Sequence, residues 1–378
     1  MSEIKQREAW IDVLKGIAII FVVLGHNPLI KAYPKVFNII FSFHIPLFFF
    51  VSGYLFNPDT AGVYLFKKRF NSLIRPYIFT VGVLSLAYVL IKRNPSPLWY
   101  VFWMLYGNGP NLPKLVLHLW FLPNLFLVTL LSWFLFRYFR FLKISMVFQL
   151  LIIIVLLVIG FLGIHIFWNI KIPSYITSFF MVDGNQFLVN GMLNNPAYYQ
   201  EQLIGEKQFI LKGLPWSFDV ILVAAAFFVS GYFIRKNNLE LIFHKHGIAL
   251  LMVTLFALLH FFYNYTIDLN LRRYDNITIS TILSCAGIYL CTYAAKIIAA
   301  NKSKFASAMQ YIGFYSMFIF ILHPIQSKTF YTITALLPNG TTAIAFLPAL
   351  VAGICGPLLL NWLFLERFKF FRYWYYAK

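Results

Sequence analysis

Apolar segments of about 20 residues, the length of a membrane-crossing helix, follow one another along almost the whole chain. Of the 378 residues, 61% are hydrophobic and 11% are charged, whereas soluble domains carry about 25% charged residues. The charged residues are therefore too few to cover a water-soluble surface. The sequence predicts an all-α, polytopic integral membrane protein with about ten transmembrane helices. The predicted spans lie near residues 10–28, 36–56, 72–91, 118–136, 145–168, 215–234, 247–266, 277–295, 309–331 and 343–364.

The spans leave no other stretch long enough to fold alone, so the sequence predicts a single transmembrane domain over residues 1–378. The longest connection, at about 169–213, contains Asn, Gly and Pro residues typical of turns. Long loops often have a function. This loop is expected on the outer face, either as a cap over a substrate site or as a plain surface loop.

Lysine and arginine residues are distributed unequally between the two sides of the predicted bundle. An even number of spans puts both termini on one side, and nineteen of the 31 basic residues fall on that side against ten on the other. Because cytoplasmic loops are enriched in Lys and Arg, both termini are predicted to be cytoplasmic. Short loops beside the lipid bilayer then account for the net charge of +19, which requires no nucleic-acid partner.

Ionisable residues within the spans are the best candidates for chemistry, because each costs about 3 kcal/mol at the centre of a membrane helix. By counting along the helices, all but the first two of these residues are expected in the outer half of the membrane. The first two lie near the cytoplasmic entrance. The set is Asp12, Lys15, His26, His44, His118, Asp219 and His323.

Two of these histidines have plausible structural explanations. His118 precedes Trp120 at the start of a span, where both side chains suit an interfacial anchor. His44 stands two residues before Pro46, which frees a backbone carbonyl that the imidazole could satisfy. Their assignment to an acceptor-binding site therefore competes with these structural roles.

His26 has the weakest structural explanation, because the Asn and Pro residues that follow it already end its helix. An imidazole has a pKa near neutrality and is suited to removing a proton from a hydroxyl. Asp219 follows Pro215 in a first helical turn, where a carboxylate favours the positive helix end; it is also the candidate for orienting His26 or His118. No spacing typical of metal ligands occurs, so no metal is expected.

Several runs of the sequence resemble a known family in order along the chain. They are REAWIDVLKGIAIIFVVLGH, FSFHIPLFFFVSGY, the KKR cluster before LIRPY, HLWFLPNLF, LPWSFDVILVAAAFFVSGY and FYSMFIFILHPI. In this order they are similar to the membrane-bound acyltransferase family 3, and most similar to its branch of polysaccharide and fucose O-acetylases.

The resemblance implies roles for individual residues. A basic residue and an essential histidine, separated by ten residues, correspond to Lys15 and His26. One arginine of a pair that helps to hold the acyl-donor coenzyme corresponds to Arg69, while Ser72 occupies the partner position and Lys68 and Arg75 supply further charge. Independently of the resemblance, the polar and aromatic residues predicted to bind the acceptor are His44, His118, Trp120 and His323.

The reaction implied by the resemblance is transfer of an acetyl group from cytoplasmic acetyl-CoA to a hydroxyl of a cell-surface or lipid-linked glycan. Acetyl-CoA would be a substrate, with no tightly bound cofactor, and the protein would lie in the bacterial cytoplasmic (inner) membrane. Polysaccharide-assembly proteins are further candidate partners. The sequence leaves open acetyl or succinyl transfer, and whether His26 acts as a general base or carries the acyl group itself.

Two other classes of function remain open from the residues. A transporter of acyl groups or of a glycan precursor would also contain intramembrane histidines and prolines. A non-catalytic scaffold of a polysaccharide-assembly complex would explain the apolar spans but not the buried histidines.

Overall fold

The computed structural model describes residues 8–27, 30, 33–92, 101, 104–112, 116–167, 170–173, 208–211, 213–336 and 345–376. Most of the predicted outer loop, residues 174–207, therefore lies outside the described residues. The two ends of that loop pair as short antiparallel strands, β1 Ile170–Pro173 and β2 Gln208–Leu211.

Helices make up nearly all of the described chain. A second antiparallel pair, β3 Ile267–Asp268 and β4 Arg273–Tyr274, forms a small hairpin between two helices. The helices are α1 Ala9–Gly25, α2 Pro34–Phe41, α3 His44–Tyr54, α4 Gly62–Arg69, α5 Arg75–Lys92, α6 Phe121–Tyr138, α7 Met146–Phe167, α8 Ile221–Lys236, α9 His246–Phe262, α10 Ile277–Ala300, α11 Lys304–Phe314, α12 Ser316–Ala335, α13 Phe346–Leu360 and α14 Lys369–Tyr375.

The prediction of an all-α, polytopic membrane protein is confirmed. Within the described residues, seven helical segments are long and apolar enough to cross a membrane, or up to eight if α11 and α12, which meet at a bend of 76°, form one span. The seven are Pro34–Tyr54, Gly62–Ala87, Leu117–Tyr138, Met146–Phe167, Pro215–Lys236, Ile277–Ala300 and Phe346–Phe364.

The predicted count of ten spans is not confirmed. Helices α1 and α9 are each 17 residues long, which at a rise of about 1.5 Å per residue gives about 26 Å. That length is slightly less than the roughly 30 Å of a hydrocarbon core. Helix α7, by contrast, is 22 residues long, and only 11% of its apolar window is buried within the protein. This low burial is expected of a helix that faces lipid.

Helices α3 and α8 pack closely because glycines let their backbones approach. Both helices contain the sequence FVSGY. A Cβ atom on Gly53 would overlap the carbonyl oxygen of Phe228, and a Cβ atom on Gly231 would overlap the carbonyl oxygen of Phe50. The two contacts use equivalent positions of the repeated sequence. Small residues are common at such helix crossings in membranes, where packing rather than water drives association.

Helix α1 is held by the α11–α12 unit. Gly16 lies against the backbone of Met309, and Gly313 lies against the backbone of Asp12, so α1 and α11 cross at two glycines. Farther along α1, buried aliphatic side chains pack against Ile319 of α12. These contacts fix the end of α1, where His26 follows the last helical residue.

The two ends of the bundle differ in chemistry. We call the end that contains Trp10, Tyr54 and Arg235 the basic side. There the ring centroids of Trp10 and Tyr54 are 5.1 Å apart, and Arg235 Nη1 donates to the Tyr54 carbonyl oxygen at 3.0 Å. We call the opposite end, which contains His26 and His323, the histidine side; these two rings have centroids 5.2 Å apart.

Candidate active site

His26 is held in one orientation by its own helix. Its Nδ1 lies 2.8 Å from the carbonyl oxygen of Val22. Because a carbonyl oxygen can only accept a hydrogen bond, Nδ1 carries the hydrogen and Nε2 carries the lone pair. This is the tautomer that a general base needs when it takes a proton at Nε2.

The other three predicted histidines are also bonded to backbone carbonyls. His44 Nδ1 donates to the carbonyl four residues earlier at 2.8 Å, and His323 Nδ1 approaches the carbonyls three and four residues earlier at 2.9 and 3.1 Å. His118, in a short 3₁₀ turn, uses Nε2 to reach the carbonyl of Ile321 in α12 at 3.2 Å. Each neutral ring keeps one nitrogen as an acceptor, and Nε2 of His323 is buried with no hydrogen-bond partner among the described residues.

Three histidines from separate helical segments meet on the histidine side. The ring centroid of His323 lies 5.2 Å from that of His26 and 5.1 Å from that of His118, and the remaining pair is 6.3 Å apart. The segments are far apart in sequence, so the fold brings these predicted residues together. The interfacial anchoring suggested for His118 would not require its ring to lie beside those of His26 and His323.

A small cavity of about 40 Å³, which we call the histidine cavity, opens beside these rings. Its apolar wall is largely aromatic, as is typical of small-molecule sites in which a few polar groups fix the ligand. His323 contacts two of the lining histidines without lining the cavity itself. The polar and indole side chains of the lining are His26, His44, His118, Trp120, Asp268 and Asn270.

Asp219 makes a buried ion pair with Arg272. Arg272 donates from Nε to Oδ2 at 2.7 Å and from Nη2 to Oδ1 at 2.9 Å, and both side chains are fully buried. Oδ1 also accepts from the backbone N–H of Leu214 at 2.8 Å. The described bonds of Asp219 therefore lead to the β3–β4 hairpin and to the segment before α8, not to a histidine, and its predicted role in orienting His26 or His118 stays a prediction.

Arg272 holds this hairpin in place through its hydrogen bonds. It adopts a left-handed backbone conformation, with φ of 54°, and donates from Nη1 to the carbonyl oxygen of Asn270 at 2.8 Å. Glycine at position 213 is required nearby, because a Cβ atom there would lie 2.5 Å from the guanidinium of Arg272. The guanidinium thus fixes the turn of the hairpin against the segment that precedes α8.

Asp268 and Asn270 were missed by the sequence analysis. Both lie in the β3–β4 hairpin, between two predicted spans, where Asp and Asn are ordinary turn residues. Their side chains are 3% and 8% exposed, respectively. Burial raises the pKa of Asp268 to about 6. No local sequence signal distinguishes them from turn residues, because their approach to the histidines depends on how the hairpin folds over the helices.

The predicted donor-binding residues lie toward the basic side. Lys15 pairs with Asp12, with 3.6 Å between Nζ and Oδ1. Lys68 Nζ lies 5.9 Å from the centre of the Tyr64 ring. Of these two contacts only that of Lys68 is exposed, and an incoming polyanion could replace it.

The two arginines of this group differ in their surroundings. Arg75 donates from Nη1 to the carbonyl oxygen of Tyr373 in α14 at 2.7 Å and lies over the ring of that residue. The Nε of Arg69 is buried without a hydrogen-bond partner among the described residues. A buried donor of this kind is costly unless a ligand satisfies it.

No group of three or more His, Cys, Asp or Glu side chains that could hold a metal ion occurs in the part of the chain that the structure describes.

Comparison with known proteins identifies a family for this chain. The profile of a family described as an acyltransferase domain matches residues 8–365. No curated protein and no solved structure matches the chain. The matched residues run from the start of α1 to the end of the helical segment that continues α13, and they include every histidine described above.

Proposed function

Because the chain belongs to the acyltransferase 3 domain family and is a multi-pass membrane protein, we propose that it is an O-acetyltransferase that uses acetyl-CoA to acetylate a glycan hydroxyl. The observation that carries this proposal is the orientation of His26. Its Nδ1–H is bonded to Val22, and its Nε2 lone pair belongs to a ring that lines a cavity. A neutral imidazole beside a cavity is suited to activating a hydroxyl.

In the proposed reaction, His26 Nε2 takes the proton of the acceptor hydroxyl as the hydroxyl oxygen attacks the thioester carbonyl carbon. The C–O bond forms, the C–S bond breaks, and the proton passes from the imidazolium to the departing coenzyme A sulfur. The products are an acetyl ester and the free thiol. His118 and His323, within 6.3 Å of His26 by ring centroid, would supply further acceptor nitrogens near the reacting groups.

The acetyl-CoA phosphates would bind toward the basic side, at Lys15, Lys68, Arg69 and Arg75. Phosphates favour clustered lysine and arginine donors, and the Nε of Arg69, which has no hydrogen-bond partner among the described residues, is a suitable donor for them. Lys15 and His26 lie eleven residues apart on α1, which corresponds to about 16 Å. The pantetheine arm would therefore have to extend inward from the basic side for the thioester to reach the histidines.

We further propose that the protein lies in a bacterial cytoplasmic membrane with the basic side toward the cytoplasm. The acceptor would then be presented on the outer side, as expected for a cell-surface or lipid-linked glycan. Asp219 would act on the histidines indirectly, by fixing the hairpin through Arg272.

The test is acetyl transfer by purified protein in detergent, where no sealed compartment exists and transport cannot contribute. His26→Ala and His26→Gln should each reduce transfer by about a hundredfold or more, because neither side chain can take a proton near neutrality. His165→Gln is the matched control: His165 is an exposed histidine near the end of α7, and its loss should leave transfer unchanged.

Equal thermal stability of the variants in detergent would separate lost chemistry from lost folding. Near-normal turnover in either His26 variant would remove His26 from the base role. Absence of transfer in the wild-type protein, with acetyl-CoA and glycan extract as substrates, would favour a transporter or a scaffold.

A further inference from the structure

The histidine cavity has a second polar wall that the base mechanism does not use. Histidines line one part of the cavity, and the β3–β4 hairpin brings Asp268 and Asn270 to another part. Gly109 leaves room for this wall, because a Cβ atom there would overlap the Asn270 side chain and would lie 2.9 Å from the indole of Trp120. The amide, the indole and the carboxylate thus border the same space.

The fold of the hairpin explains why residue 268 has a side-chain oxygen, but not why that side chain can carry a negative charge. Its Oδ1 accepts the backbone N–H of Leu271 at 3.1 Å, and the carboxylate also accepts a backbone hydrogen bond from Asn270, so it caps the turn. An asparagine side chain would provide the same oxygen without a charge. Burying a carboxylate costs free energy unless other groups satisfy it, so the negative charge of Asp268 has no explanation in the turn itself.

The nearby Arg272 and Arg273 stabilise this carboxylate electrostatically, but among the described residues neither forms an ion pair with it. The described bonds of Arg272 go to Asp219 and to the backbone of Asn270, and Arg273 donates to Asp275. Among the described residues, no ion pair involves Asp268. A nearly buried carboxylate therefore lines the cavity with the capacity to accept hydrogen bonds from a ligand.

We propose that Asp268 binds a second hydroxyl of the acceptor, next to the hydroxyl that is acetylated, and thereby selects sugars over simple alcohols. This inference rests on the proposed function. A carboxylate accepts hydrogen bonds from hydroxyl groups, and the flat indole of Trp120 provides an apolar surface for the C–H face of a sugar ring. The histidines would activate one hydroxyl while Asp268 holds its neighbour.

The experiment compares sugar acceptors with an acceptor that has a single hydroxyl. Purified protein in detergent is given labelled acetyl-CoA and either methyl glycosides of glucose, galactose, mannose and fucose or 1-butanol. Asp268→Asn keeps the oxygen that caps the turn and removes the charge. We expect it to raise the KM for the best glycoside about tenfold or more, as for a lost charge-assisted hydrogen bond, while leaving the KM values for 1-butanol and acetyl-CoA unchanged.

Asp275→Asn is the matched control, because it makes the same change in the same hairpin. Asp275 accepts from the backbone of Thr266 and from Arg273 and is not among the cavity-lining residues. Its variant should keep the wild-type preference for the glycoside. With the wild-type protein, a deoxy glycoside that lacks the neighbouring hydroxyl should have a KM raised by the same factor as the Asp268→Asn substitution causes. This measurement tests the contact even if the variant folds poorly.

The outcomes separate this inference from the proposed function. Suppose that the wild-type protein acetylates glycosides, but that neither Asp268→Asn nor the deoxy glycoside changes the KM. This result would overturn only the role of Asp268. An equal rise in KM for the glycoside and 1-butanol would also overturn it, because the effect would not depend on a second hydroxyl. Failure of the wild-type protein to acetylate any glycoside would overturn the glycan acceptor itself.

Discussion

Protonation of single residues should govern the pH dependence of the site, because His26 must be neutral to act as a base and Asp268 must be ionised to act as a full acceptor. Burial raises the pKa of Asp268 from its ordinary value of 3.8 to about 6. The carboxylate is therefore mostly ionised at pH 7 and mostly protonated at pH 5. Other titratable or charged groups near the cavity and the hairpin are His44, His118, Arg272 and Arg273.

The glycoside KM of the wild-type protein should accordingly rise as the pH falls from 7 to 5. In Asp268→Asn the KM should already be high at pH 7 and should change little over this range, because the substituted amide does not titrate. Initial rates at several pH values separate KM from kcat. The same pH-dependent rise of KM in both proteins would assign the effect to a histidine.

The residues of the site differ in how visible they are in the sequence. An imidazole inside an apolar span stands out because of its free-energy cost, which is why His26, His44 and His323 could be identified. Asp268 could not, because an aspartate in a short polar loop costs nothing until the loop folds over a cavity. Its burial is a property of the hairpin and the hydrogen bonds of Arg272, which depend on contacts between distant parts of the chain.

The β3–β4 hairpin is the element that closes the cavity wall, and its position depends on one buried ion pair. Removing one partner of such a pair leaves an uncompensated buried charge, which costs about 3–5 kcal/mol. Asp219→Asn should therefore destabilise the hairpin strongly and weaken acceptor binding. Thermal unfolding in detergent and the glycoside KM measure the two effects.

Arg273→Gln provides the comparison within the same hairpin. Arg273 pairs with Asp275, but its side chain is 46% exposed, and exposed pairs contribute roughly 0–1 kcal/mol. Its loss should leave the unfolding temperature almost unchanged. If Asp219→Asn were as stable as Arg273→Gln and bound glycosides normally, then the ion pair would not position the hairpin.

Helices were predicted better than their ends and breaks. Apolar length alone indicated each long helix, because a membrane span needs about 20 residues. It could not indicate that α11 and α12 meet at 76°, since the bend reflects packing of α11 across α1 at Gly16 and Gly313. The repeated FVSGY sequence is visible in the chain, but its meaning emerges only from the contact between Gly53 and Phe228.

The basic and histidine sides lie at opposite ends of the helix bundle. The proposed donor, acetyl-CoA, is a large polyanion that would suit the side with Arg69 and Arg75, whereas the cavity with Asp268 and Trp120 would suit the proposed sugar acceptor. If the thioester reaches His26 from the basic side and the acceptor reaches it from the histidine side, the two substrates never need to share a side. This arrangement depends on which side faces the cytoplasm, and the unequal distribution of basic residues predicts that it is the basic side.

Reporter fusions test this orientation directly. Fusions after Asn57, Arg140 and Lys378 should report the cytoplasm, because they follow segments that end on the basic side, and a fusion at Asn195 in the long connection should report the outer compartment. Matched fusions of an enzyme active only outside and a fluorophore formed only inside give opposite signals at each site. A cytoplasmic signal at Asn195 would put the histidine cavity on the donor's side of the membrane. The acceptor would then have to be a cytoplasmic glycan precursor, and the acetyl group would not have to cross the protein.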